Sequence, residues 1–411
     1  YIQEGNNLVF LNDGKRFLWT SEVSGWNEIY LYDLSGKLIK QLTDKKLPVG
    51  GIARVDEENE WVYFTGYETR GCESHLYRVK FDGSKFKKLT KKAGSHNVSV
   101  SPGGKYFTDN FSSWDDPAES NLYRGDGKLI KELGKSVITD ELKNLKLVKP
   151  EHFTFKSADG KDDIDAILYK PADFDPNKKY PVIYGVYGGP GARMIRNSWN
   201  MTDGDQQMAQ LGFLILKTDH SGVSRRGKAF ETKMYMKMGQ VELADHTAAV
   251  KHISKRKYVD ASRVGIYGHS YGGYMTCIAL LKEPDVFHVG VAGAPVTHWR
   301  NYDSIYTERF MRRPQDNPEG YELGSCMKYA SNLKGKLFIH HGAVDDNVHP
   351  GNTMQLVDAL LKAGKRFEMK IYPEQRHGIR YSQYPQDRLD YFVRHLKPET
   401  FDEWFNQENE N

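Results

Sequence analysis

Ser270 lies in the segment Tyr267-Gly268-His269-Ser270-Tyr271-Gly272-Gly273-Tyr274, a G-x-S-x-G pattern. Apolar residues precede it (Val264, Ile266), and a helix-like run follows it (Met275 to Leu281). That strand–turn–helix context is the one in which such a serine acts as a nucleophile. The turn is sharp, so its glycines give the backbone room and leave the hydroxyl standing at the top of a sheet. A serine held this way performs covalent acyl chemistry when a base can reach it. The same pentapeptide also occurs in plain glycine-rich loops, so the weight falls on what accompanies it.

Two further segments follow in the order Ser, acid, His, which is the chain order of the α/β-hydrolase triad. Leu337-Phe338-Ile339 reads as a strand, and it runs through Gly342 to Asp345 and Asp346. Phe367 to Tyr372 reads as another strand, and His377-Gly378 lies just beyond it. A histidine on a loop past a strand end suits a general base. The chain has 14 histidines. His288, His298, His340, His341 and His349 read as ordinary surface or core histidines, and His377 is preferred because it follows the last predicted strand. The acid is open between Asp345 and Asp346. Asp345 is favoured as the first carboxylate after the strand and turn, and Asp346 reads as a loop or cap residue.

An acyl-transfer serine also needs donors for the oxyanion. The Tyr271 backbone N–H is one, and the loop Tyr187-Gly188-Gly189-Pro190-Gly191 offers the Tyr187 hydroxyl as another. As an alternative, that loop is a plain Gly-Pro turn. Past the next strand, Trp299, Tyr302 and Tyr306 are spaced by three and four residues. This spacing predicts one face of a helix. Such a stripe is usually core packing. Here it follows the strand next to the nucleophile's, where active-site loops emerge, and its flat walls with polar tips suit a small rigid ring.

The elements that must position these residues fall into two parts. A chain of 411 residues is long for one ordinary domain. Residues 1–135 read as all-β, with a repeat of 47 and then 46 residues between Tyr30, Tyr77 and Tyr123. Short strands at that period are the mark of propeller blades, here about three. Three blades do not close a ring, so the sequence reads as the C-terminal part of a longer protein, opening mid-pattern at Tyr1. Residues 136–150 form a linker with helical character at Asp140 to Leu145. Residues 151–411 alternate strands with helices, which predicts an α/β-hydrolase domain with a mostly parallel sheet.

Composition narrows the classes. The formal net charge is +4, with no long basic run, which argues against a nucleic-acid partner. No apolar run reaches the length of a membrane span. The three cysteines, Cys72, Cys277 and Cys326, form no C-x-x-C, so neither a zinc site nor a disulfide framework is expected, and the chemistry read here needs no cofactor. The odd, low count fits a cytoplasmic or bacterial periplasmic protein; the setting expected for the chain is the bacterial periplasm or the extracellular space, with the cytoplasm as the alternative.

The segments Gly268 to Gly273, Tyr302-Asp303-Ser304-Ile305-Tyr306-Thr307-Glu308-Arg309 and His341 to His349 resemble the prolyl oligopeptidase family of serine peptidases, in its dipeptidyl-peptidase IV branch. The resemblance covers essentially the whole chain. It implies Ser270 as nucleophile, Asp345 as orienting acid, His377 as base and Tyr187 as oxyanion donor. It also implies a pocket for a penultimate proline lined by Tyr271, Val296, Trp299, Tyr302, Tyr306 and Val348. Asn347 would hold a substrate carbonyl, and Arg309 would sit near the pocket. The implied activity is release of N-terminal X-Pro or X-Ala dipeptides. Relatives with tripeptidyl, acylaminoacyl or endo specificity are the alternatives, as is a non-catalytic scaffold. A homodimer fits the resemblance. Two departures stand out. The residue before the nucleophile is His269, where that branch commonly has Trp, and no glutamate pair for the substrate amine is found in this sequence.

Overall fold

A computed structural model describes residues 8–44, 47–200, 204–400 and Trp404. Tyr1, where the sequence opens, lies outside the described residues. Twelve short strands come first, in three groups of four. The first group is β1 (Leu8–Phe10), β2 (Arg16–Ser21), β3 (Glu28–Asp33) and β4 (Leu38–Gln41). The second is β5 (Val49–Asp56), β6 (Trp61–Glu68), β7 (Glu73–Lys80) and β8 (Lys87–Lys88). The third is β9 (Ser95–Val100), β10 (Tyr106–Ser112), β11 (Glu119–Arg124) and β12 (Leu129–Lys135). Each group is an antiparallel meander, and a single parallel bridge from Ser74 to Ser95 joins the second to the third. These are three blades of a β-propeller. Leu18, Ile29, Leu31, Val62, Phe64 and Val79 pack a dry core across the first two blades.

A short helix, Asp140–Asn144, capped by Thr139, leads into an eight-stranded sheet. Its strands are β13 (Glu151–Lys156), β14 (Asp163–Tyr169), β15 (Tyr180–Gly185), β16 (Leu214–Thr218), β17 (Val259–His269), β18 (Val289–Gly293), β19 (Lys336–Gly342) and β20 (Glu368–Tyr372). Their spatial order is 13-14-16-15-17-18-19-20. All pairs from β16 onward are parallel, while β13 and β14 form an antiparallel hairpin that also meets β16 antiparallel. That edge departs from plain strand–helix alternation because no helix separates β13 from β14. β15 and β18 are buried along their whole length, and β17 is buried at Val264, Gly265 and Ile266. Helices cover both faces, and the sheet is that of an α/β-hydrolase.

The strand sequence reverses at β15, which is flanked by β16 on one side and β17 on the other. A crevice forms at the carboxyl ends of strands at such a switch point. The loops after β15, β17, β18, β19 and β20 therefore open onto a common edge.

The propeller is tied to this sheet by the tip of the β6–β7 hairpin. Thr69, Arg70 and Gly71 all have positive φ, at 47°, 54° and 93°. A side chain on Gly71 would come within 2.9 Å of Arg225 Cβ, so the tip enters a space that only glycine fits. Arg70 Nε and Nη2 donate to the two oxygens of buried Asp165 at 2.9 and 2.5 Å. Asn197 N–H donates to the Cys72 carbonyl at 2.9 Å, and Asn197 Nδ2 to Glu73 at 3.1 Å. No helix among the described residues is long and apolar enough to cross a membrane.

Candidate active site

Ser270 sits between β17 and the helix Tyr271–Lys282, with φ 63° and ψ −118°. That conformation is costly for a residue with a side chain. Close packing holds it there. A Cβ on Gly268 or Gly272 would fall 2.4 Å from the Val186 carbonyl oxygen, and one on Gly273 would fall 2.3 Å from that of Gly293. The Ser270 N–H donates to the Gly293 carbonyl at 2.8 Å. The helix that follows is buried from Tyr271 to Leu281. Its first N–H groups have no partner within the helix, which leaves the Tyr271 N–H free to face an anion.

His377 lies on the loop after β20, and its Nδ1 is 2.9 Å from Asp345 Oδ2. Asp345 is buried just past β19. Its Oδ1 accepts the backbone N–H groups of Asn347 and Val348, both at 2.9 Å. The carboxylate is thus fixed by its own loop before the imidazole meets it. Asp346 points the other way and pairs with Arg376 at 2.7 Å, both side chains largely in solvent. The ring of His377 stands 4.9 Å from that of His269, the residue before Ser270.

Sequence spacing gave no sign of a second histidine on the acid. His341 Nε2 lies 3.2 Å from Asp345 Oδ2 and 2.8 Å from the Val348 carbonyl, while its Nδ1 meets Thr353 Oγ1 at 2.7 Å. A carbonyl only accepts, so Nε2 carries the proton and Nδ1 accepts from Thr353. Burial pushes His341 below the usual imidazole range, which favours this neutral form.

The aromatic residues form one contiguous cluster. Tyr187 and Tyr271 have ring centroids 6.0 Å apart, Tyr271 and Trp299 5.0 Å, Trp299 and Tyr306 6.2 Å, and Tyr302 and Tyr306 5.4 Å. Val296 and Val348 are buried in the same core. The three-and-four spacing does not put the rings on one helix. Trp299 lies in a single turn, Tyr302 is extended, and only Tyr306 lies in the helix Ser304–Met311. Asp303 causes the break, because its carboxylate accepts the Tyr306 N–H at 2.7 Å and caps a new helix there. The Tyr302 hydroxyl donates to Asn347 Oδ1 at 2.7 Å, which joins the cluster to the acid loop. Arg309 lies on the same helix, with its guanidinium 5.6 Å from the Phe310 ring.

Glu242 and Asn352 also support the site, and both are fully buried. Glu242 Oε1 accepts the Gly239 N–H at 2.5 Å and the Tyr271 hydroxyl at 2.6 Å. Burial raises the Glu242 carboxyl against the lowering effect of those bonds. Asn352 accepts from the Thr297 N–H at 3.2 Å and donates to the His349 carbonyl at 3.1 Å, stitching the Trp299 loop to the acid loop. Neither has a local motif around it.

Two clusters among the described residues bring metal-ligand atoms within 4.8 Å of one another: Cys72 with His152 and Asp165, and Glu68 with Glu73 and His75. In the first, Arg70 takes both Asp165 oxygens, Arg193 Nη2 lies 3.4 Å from Cys72 Sγ, and burial pushes the thiol up to about 12. In the second, Lys88 pairs with Glu68 at 2.7 Å. A side-chain cation of the protein thus already sits at each cluster.

A serine elbow, an acid and a histidine at the carboxyl edge of this sheet, behind propeller blades, define an α/β-hydrolase with a propeller domain. Residues 199–399 match the model of the prolyl oligopeptidase family, and residues 1–118 match that of the dipeptidyl peptidase IV (DPP IV) N-terminal region. The chain belongs to the prolyl oligopeptidase family, in its dipeptidyl peptidase IV-like branch. It is 35% identical to dipeptidyl peptidase 8 of Homo sapiens, over 80% of this chain and 38% of that protein. It is 31% identical to dipeptidyl peptidase 4 of Trichophyton rubrum, over 95% of this chain and 52% of that protein. The crystal structure of Porphyromonas gingivalis dipeptidyl peptidase 4 superposes with a TM-score of 0.88 at 32% identity, covering 95% of this chain and 56% of that one. The chain spans about half the length of the curated relatives it matches.

Proposed function

We propose that this chain carries the hydrolytic half of a serine dipeptidyl peptidase that releases N-terminal X-Pro or X-Ala dipeptides from peptides. The observation that carries the reading is the Asp345–His377 contact at 2.9 Å on the same sheet edge as strained Ser270, with the aromatic cluster beside it. Ser270 Oγ attacks the carbonyl that follows proline while His377 Nε2 takes its proton. Asp345 holds the imidazole with Nδ1–H toward itself and offsets the charge that forms. The Tyr271 N–H and the Tyr187 hydroxyl receive the oxyanion. Burial raises the Tyr187 phenol, so it stays protonated and able to donate. His377 returns the proton to the leaving amine, and water then clears the acyl-enzyme by the reverse roles.

Tyr271, Val296, Trp299, Tyr302, Tyr306 and Val348 enclose the proline ring, Asn347 holds a substrate carbonyl, and Arg309 stands beside the pocket. The same reading divides the chain into an incomplete propeller at residues 1–135, a linker at 136–150 and a catalytic α/β-hydrolase domain at 151–411. Pairing of two copies through the hydrolase domain is part of the same reading. Named relatives that are dipeptidyl peptidases support it. The test is hydrolysis of Gly-Pro-anilide beside its N-acetylated twin, with Ser270→Ala as control. Cleavage of the free amine alone is expected. Equal cleavage of both would overturn the dipeptidyl register and favour an acylaminoacyl or endo-acting peptidase.

A further inference from the structure

His269 is bonded at both ring nitrogens. Nε2 lies 2.6 Å from the backbone carbonyl oxygen of His377, and Nδ1 lies 3.1 Å from the Tyr384 hydroxyl. The carbonyl can only accept, so Nε2 must carry the proton. Nδ1 is then a lone pair and accepts from Tyr384. Burial lowers His269 further from the charged form. The fit beneath the ring is tight, since a Cβ on Gly293 would fall 2.1 Å from Tyr384 Oη and 2.6 Å from His269 Nδ1. Tyr384 in turn belongs to the helix Gln383–Leu396, which packs against β17 and β18.

Resting on the triad read above, we infer that His269 is a positioning residue that sets the distance between nucleophile and base. The loop that carries His377 has no regular structure between β20 and the helix Gln383–Leu396. Asp345 fixes the imidazole of His377, and His269 fixes the main chain of the same residue. Because His269 is the peptide neighbour of Ser270, one side chain couples the two groups that must exchange a proton. A misplacement of about 1 Å between such groups can cost about a hundredfold in rate. A tryptophan here would supply one N–H and no acceptor, so it can replace the bond to His377 but not the bond from Tyr384.

The test uses the intact protein and two readouts: kcat and KM on Gly-Pro-anilide, and the rate of labelling by a fluorophosphonate, which reports serine activation without any peptide. His269→Phe should lower kcat and the labelling rate about tenfold while KM stays within about twofold. His269→Trp should remain within about threefold of wild type. Tyr384→Phe, which leaves His269 in place, should slow labelling about threefold and keeps the test decisive if His269→Phe does not fold. Labelling of His269→Phe at the wild-type rate, or equal losses in the Phe and Trp variants, would overturn the inference. If wild type takes up the fluorophosphonate but leaves Gly-Pro-anilide intact, the dipeptidyl reading fails and the labelling series still decides the role of His269.

Discussion

The Tyr271 hydroxyl donates to Glu242 Oε1 across 2.6 Å, and the carboxylate that receives it is wholly removed from water. In the proposed function the Tyr271 ring forms a wall of the proline pocket and its backbone N–H receives the oxyanion. A buried acid on another helix therefore holds both at once. Glu242 Oε2 is buried and has no hydrogen-bond partner among the described residues, which hold the carboxyl through its other oxygen.

Replacing Glu242 by Ala leaves the Tyr271 hydroxyl and the Gly239 N–H unpaired in the core. A loss of about 2–4 kcal/mol in unfolding free energy is expected, with KM for a prolyl substrate rising. Glu242→Gln keeps an accepting oxygen and should lose less than half of that. Urea unfolding and steady-state kinetics on the same samples check both.

Ser270→Ala and His377→Gln should each lower kcat by about 10⁴-fold or more, and the double variant should be no worse than the poorer single one. Asp345→Asn should cost about 10⁴-fold, because an amide presents the wrong partner to Nδ1–H. Asp346→Asn, which removes a solvent-exposed pair with Arg376, should change kcat by less than about twofold. Equal losses for the two Asn variants would remove Asp345 from the assigned role.

His340 is buried beside Tyr372, and burial lowers it from 6.5 to about 4. The folded chain therefore keeps it neutral, while the unfolded chain takes up the proton near its ordinary value. Between those two values the unfolded state binds more protons, so stability falls as pH drops from about 6.5 toward 4, by up to about 3 kcal/mol. His246, also fully buried and lowered, steepens the same limb. His340→Gln should flatten it, as read from thermal midpoints across that pH range.

Arg70 is part-exposed, with 35% of its side chain open, but the Asp165 it grips is 1% exposed. Burial alone would raise Asp165, yet bonds from His152 and Arg70 hold it at about 2. Arg70→Met should therefore cost about 2 kcal/mol, and Arg70→Lys should recover little, since one ammonium cannot serve both oxygens. Differential scanning calorimetry would show the change.

All three cysteines are buried and free, and burial raises each thiol, Cys72 and Cys277 to about 12. Iodoacetamide at pH 8 should leave all three unmodified in the folded protein and modify all three in denaturant. Rapid labelling of native Cys72 would mean that the hairpin tip opens away from the hydrolase sheet.

Local steric demands wrote the clearest parts of this structure into its sequence. Gly268, Gly272 and Gly273 are required by carbonyl oxygens 2.3–2.4 Å from where a side chain would begin, so the tight turn was legible once the strand before it and the helix after it were read with it. The blade period was legible too, because each meander repeats the same run of short strands and turns, with its apolar residues packing against the neighbouring blade. What could not be read is set by partners far apart in the chain. Glu242 meets Tyr271 at a separation of 29 residues, and Arg70 meets Asp165 at 95. The Trp299–Tyr306 stripe misled for a different reason: the helical spacing of its three rings was outweighed by the Asp303 cap between Tyr302 and Tyr306.

The hairpin tip at Thr69, Arg70 and Gly71 also bears on how this protein could be taken apart. A protein engineer reading the linker at 136–150 as a cut site would free two pieces, each with a raw wound. One would carry a strained loop with no socket, and the other would carry Asp165 without Arg70 and Asn197 without Cys72 and Glu73. Excision of the hydrolase alone would first require resurfacing that socket, so the seam in the chain is not the seam in space.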